Sequence, residues 1–88
     1  MKIKSGFVLT EAAGNNLVVA VGDMADVFSG YVKLNSTGAF IWKHLEKKEM
    51  SVSEVAELLV SEYEISTEIA SRDVMAFEKS LRDAGILE

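Results

Sequence analysis

The sequence predicts an α+β domain: a three-stranded antiparallel sheet followed by a three-helix bundle. Three observations point to it. Residues 1 to 34 carry short β-rich runs punctuated by single glycines, the apolar period lengthens to a helical one from Asn35 onward, and three helix starts with recognisable caps follow. Elements in that order, strands first and helices after, resemble a winged helix-turn-helix.

The first two strands are Phe7-Val8-Leu9-Thr10 and Leu17-Val18-Val19-Ala20-Val21, joined by Gly14-Asn15-Asn16, residues that tolerate positive φ and so turn a hairpin. After Gly22-Asp23, the segment Met24 to Ser29 has mixed character and reads as a loop. Gly30 then opens a third strand, Tyr31-Val32-Lys33-Leu34. With Val32 and Leu34 facing the core, the period of two sends Tyr31 and Lys33 to the opposite face.

Helix one starts at an Asn35 or Ser36 cap and runs to about Lys47, with Phe40, Ile41, His44 and Leu45 as its inward stripe and Trp42 toward the flank. Helix two starts at Ser51-Val52-Ser53-Glu54, a capping box in which each side chain bonds the other residue's backbone N–H. Met50 and Val55 are placed as a hydrophobic staple, and Val52, Val55, Ala56, Leu59 and Tyr63 form one face. Helix three takes Ser66 as cap and Glu68 in its first turn, with Ala70, Val74, Phe77, Leu81 and Ala84 inward. Gly85 falls at the left-handed C′ position, which sets Ile86 against Leu81 in a Schellman motif.

Composition narrows the function. The 88 residues suit one hydrophobic core and are read as a single domain over 1–88, free-standing. No cysteine is present, so neither a disulfide framework nor a thiolate metal site is available, and the default compartment is cytoplasmic. The longest apolar run, Leu17 to Val21, is strand-sized, which argues against a membrane span. Net charge is −5, and residues 45 to 88 hold 5 Lys+Arg against 11 Asp+Glu, leaving no basic face for phosphate. No nucleic-acid partner is expected.

No catalytic set emerges either. His44, the one histidine, reads as a partly buried packing residue, because no Ser-His-Asp or paired-carboxylate motif accompanies it. The glycines are single, which excludes a phosphate-cradling loop, and the acidic residues lack the spacing of a calcium loop, so no metal and no cofactor are expected. The third strand offers a different opportunity. An outer strand of a three-stranded sheet carries unpaired N–H and C=O groups that accept an added peptide strand, unless Lys33 serves only to keep that edge from aggregating.

The segment Phe28-Ser29-Gly30-Tyr31-Val32-Lys33-Leu34-Asn35-Ser36-Thr37-Gly38-Ala39-Phe40-Ile41-Trp42 resembles the signature of the PqqD-like family: a strand ending Leu-Asn, then x-Thr-Gly-Ala, then an aromatic-aliphatic-Trp opening of the first helix. The preceding hairpin, the helix from Ser51 to Tyr63 and the closing segment Phe77 to Leu87, with its Leu81-x-x-Ala84-Gly85-Ile86-Leu87 ending, extend the resemblance to nearly the whole chain. It implies a non-catalytic peptide chaperone, the recognition element of a system that modifies ribosomally made peptides. Such proteins hold the leader of a precursor and present it to a modifying enzyme, often a radical S-adenosylmethionine protein. It implies further that the leader adds as a strand beside Tyr31, Val32, Lys33 and Leu34, in a groove completed by helix three near Asp73, Ala76, Phe77, Ser80 and Leu81. Lys33 is then placed to pair with a leader acid, and the open edge leaves room for a homodimer. The alternative, a winged-helix DNA-binding regulator, rests on element order alone and conflicts with the acidic charge of helix three. An enzyme of unrecognised kind is the third reading.

Overall fold

In the computed structural model, which describes residues 1–88, strand β1 (Phe7–Ala12) pairs with β2 (Asn15–Ala20) and β2 with β3 (Tyr31–Leu34), both antiparallel, in the order β1-β2-β3. Helices α1 (Ser36–Leu45), α2 (Val52–Tyr63) and α3 (Thr67–Asp83) follow. The α+β order predicted from periodicity is the one observed.

The hairpin turn is Ala13-Gly14 and not the expected Gly14-Asn15-Asn16. Ala13 and Gly14 both take positive φ, 53° and 79°, the pattern of a two-residue turn whose twist matches the strands it joins. Asn15 and Asn16 therefore belong to β2, opposite Ala12 and Glu11. The segment read as a loop after Val21 instead winds into a 3-10 turn over Gly22–Asp26, and beyond it Phe28 closes edge-on against Phe7 at 5.0 Å between ring centres.

Register fixes which side of the sheet is covered. Val32 pairs with Val18, which is fully buried, so Val32 and Leu34 lie on the core face. Tyr31 and Lys33, opposite Val19 and Leu17, lie on the outer face, and Tyr31 is 63% exposed.

Three caps behave as their sequences dictate. Asn35 accepts the Gly38 N–H at 2.7 Å, Ser51 and Glu54 complete their reciprocal box at 3.1 and 3.0 Å, and Ser66 accepts the Ile69 N–H at 3.2 Å. At the far end of α3, Ile86 N–H donates to the Leu81 carbonyl and Gly85 N–H to that of Arg82, both halves of a Schellman closure. The chain beyond it forms a short bridge that sequence periodicity did not announce. Leu87 pairs with Ile3, and Lys4 N–H donates to the Ile86 carbonyl at 2.8 Å, tying the residues before β1 to those after α3.

One helix face is rotated from expectation. On α1 the buried residues are Gly38, Ala39, Ile41, Trp42 and Leu45, whereas Phe40 and His44 sit half-buried at its side. Trp42 is thus a core residue with no exposed surface, not a flank residue. Its large ring lies in the same apolar cluster as Val18, Leu59, Val74 and Ile86, and that cluster draws on the sheet and all three helices. No helix of the chain is long and apolar enough to cross a membrane.

Candidate functional site

A sheet of three strands has two open edges, and here they differ. The backbone hydrogen bonds of β3 run to β2, and no other segment pairs with its outer side. The outer side of β1 is open as well. Only β3, however, borders a cleft, a depression of about 310 Å³ between the strand end, the start of α1 and one face of α3.

Its walls follow from local structure. The buried position of Leu34 ends β3 on the core side, and Asn35 turns the chain directly into α1 through its cap. Lys33 and Leu34 therefore adjoin Asn35, Thr37, Gly38 and Ile41 along one side of the cleft. The other side is α3, whose residues Asp73, Ala76, Phe77, Ser80 and Leu81 recur at spacings of three and four and so share one stripe. Phe77 and Leu81 reach inward as the apolar floor, while Asp73, Ala76 and Ser80 stand exposed at the rim.

Gly38 matters to this shape. A Cβ there would lie 3.2 Å from Asn35 Oδ1 and 3.4 Å from Leu34 Cβ, so an alanine would press on the capping oxygen and require it to give by a few tenths of an ångström.

Seven of the nine residues anticipated from the sequence line this depression: Lys33, Leu34, Asp73, Ala76, Phe77, Ser80 and Leu81. Tyr31 and Val32 continue the same open strand but lie outside the cleft walls. Four lining residues were missed, Asn35, Thr37, Gly38 and Ile41. All four fall inside the Leu34 to Trp42 signature, but their cap and helix-start chemistry accounts for them without a second role as a wall.

The chemistry available is that of binding. Open backbone donors and acceptors run along one strand, an apolar floor lies beside them, and a cation and a carboxylate stand at the rim. No three His, Asp or Glu side chains converge as a metal site. His44 lies away from the cleft, packed against Phe40 at 4.6 Å between ring centres, as a packing histidine should.

The fold is shared with known proteins. The family model for coenzyme PQQ synthesis protein D (PqqD) matches residues 9–87. Among solved structures, lasso peptide synthetase B1 complexed with the leader peptide superposes with a TM-score of 0.73 at 26% identity, covering 99% of this chain and 95% of that one. TbiB1 in complex with the TbiA(beta) leader peptide shares the fold with a TM-score of 0.79 at 23% identity, over 100% of this chain and 95% of that one. No curated protein matches the chain.

Proposed function

Because the chain belongs to the coenzyme PQQ synthesis protein D (PqqD) family, we propose that it binds the leader segment of a ribosomally made precursor peptide by strand addition and presents it to a modifying enzyme. The observation that carries this reading is the unpaired outer side of β3 lying directly against the β3–α3 cleft. Strand addition draws its affinity from backbone hydrogen bonds, and pockets for alternate side chains supply the selectivity. Both parts are present side by side. The fold shared with a lasso peptide synthetase B1 solved with its leader peptide supports the same occupant.

The leader is held along Tyr31 to Leu34, its inward side chains over Phe77 and Leu81. In this reading the domain contributes recognition, and the chemistry belongs to the partner, a radical S-adenosylmethionine enzyme, in the cytoplasm where the precursor is made. The DNA-binding alternative loses ground at α3. Its three cations, Arg72, Lys79 and Arg82, each lie within 4.0 Å of a carboxylate four residues away, leaving little positive charge for phosphate.

The test is a calorimetric titration of wild type and Ala76→Arg with leader peptides of ribosomally made precursors. Ala76 is exposed at the rim, so the variant fills the cleft without opening the core. Wild type should bind, and the variant should lose at least about tenfold, or about 1.4 kcal/mol, at an unchanged melting temperature. Equal binding by both proteins would place the leader elsewhere.

A further inference from the structure

Helix α3 carries seven charged side chains, and six of them are tied together in pairs one turn apart: Glu68 with Arg72 at 3.8 Å, Glu78 with Arg82 at 3.1 Å, and Lys79 with Asp83 at 2.8 Å. The seventh, Asp73, has no such partner, and it stands on the cleft. On the β3 side of the same cleft, the Lys33 ammonium also has no carboxylate within 4.0 Å. Lys33 on the outer face of β3 and Asp73 on the exposed rim of α3 thus leave one unpaired charge of each sign beside the cleft, complementary to a ligand bearing both.

Resting on the strand-addition reading above, we propose that the cleft selects an extended segment of defined charge pattern. Its side chains are apolar at alternate positions, acidic at the position opposite Lys33, and basic where it passes Asp73. The dimensions agree. Four strand residues extend about 13 Å at ~3.3 Å each, and the eight-residue interval from Asp73 to Leu81 on α3 covers about 12 Å at ~1.5 Å each. About four peptide residues thus meet both walls at once.

The register assigns their chemistry. Residues directly opposite one another in a sheet share a face. Peptide positions opposite Val32 and Leu34 therefore turn toward the core side, where Ile41, Phe77 and Leu81 favour apolar side chains. The position opposite Lys33 turns to the outer face beside its ammonium, where an acid is attracted and a base repelled. The position opposite Tyr31 meets an exposed ring, which favours an apolar or aromatic neighbour. Rim ion pairs of this kind change affinity by up to about fivefold each. They choose among leaders of similar backbone affinity and do not supply the bulk of binding.

The experiment selects a display library of random peptides, each about 12 residues long so that the edge is covered with flanks, on wild type, Lys33→Glu and Asp73→Lys. Both substitutions are at exposed positions, and thermal melts of each variant verify folding. Enriched peptides are resynthesised and titrated, with Ala76→Arg as the blocked-cleft control. Expected on wild type is the alternating apolar pattern with one acid and one base at fixed offsets. The acid should become a base on Lys33→Glu and the base an acid on Asp73→Lys, with each mismatched pairing, which loses an attraction and gains a repulsion, weakened about tenfold and the effect reduced by salt. Peptides that depend on the open cleft but show the same charges on all three proteins overturn the charge assignment and leave strand addition standing. Failure to enrich any peptide on wild type, or enrichment that survives Ala76→Arg, overturns both.

Discussion

Trp42 has no exposed surface, and its indole N–H has no hydrogen-bond partner, a combination that costs about 1 to 3 kcal/mol of desolvation. The ring fills the centre of the apolar cluster. Trp42→Phe removes the orphaned donor while keeping most of the aromatic contact, so its stability should fall within about 1 kcal/mol of wild type. Trp42→Ala should lose about 3 to 5 kcal/mol. Urea titrations of the two variants measure both. The same residue shows where sequence reading falls short. Phe40, Ile41, Trp42, His44 and Leu45 crowd more than half a turn with apolar or amphipathic side chains, and periodicity alone does not say which of two adjacent stripes faces inward. Gly38 makes a complementary point. An alanine in an ordinary helix gains about 0.5 to 1 kcal/mol over glycine, but here its Cβ would press on Asn35 Oδ1, which is already held in the cap. Gly38→Ala should therefore bring no gain in melting temperature and instead lose about 1 kcal/mol as the cap loosens.

At the scale of elements, what the sequence discloses is what local chemistry determines. The Ser51 box, the Ser66 cap and the Gly85 closure involve residues within five positions of one another, and each is present as read. The hairpin turn slipped because Gly14-Asn15-Asn16 offers several residues that accept positive φ, and the structure uses Ala13 with Gly14. The bridge between Ile3 and Leu87 joins opposite ends of the chain and has no local signal at all. The α2 cap also gives a pH-dependent consequence. The Ser51 backbone N–H, and after it the Ser51 hydroxyl, holds the Glu54 carboxyl below its ordinary value of 4.5. A depressed folded-state value contributes stability that is present above pH 4.5 and is lost as pH falls through the lower folded value. NMR titration should place Glu54 below 4.5 in wild type and return it only part of the way toward 4.5 in Ser51→Ala, which keeps the backbone N–H, with the stability difference between Glu54 and Glu54→Gln closing at acid pH.

At the scale of the molecule, the cleft is a product of assembly. Its residues come from positions 33 to 41 and 73 to 81, which only the packing of α3 beside the sheet brings together. The strand edge could be foreseen from the strand count, and the inward stripe of α3 from its period, whereas the contribution of the α1 start required the turn at Asn35 to be seen in space. Two edges of this sheet are open, and only one has a floor beside it. That asymmetry is the basis for assigning the incoming strand to β3.

Amide hydrogen exchange, followed residue by residue with and without a precursor leader that binds in the calorimetric titration, tests that assignment most directly. Bound leader should slow exchange of the β3 amides that point away from β2 by at least about tenfold, with the amides on the open side of β1 unchanged. Leader that binds while leaving those β3 amides as fast as before, or that protects the β1 edge instead, would contradict it.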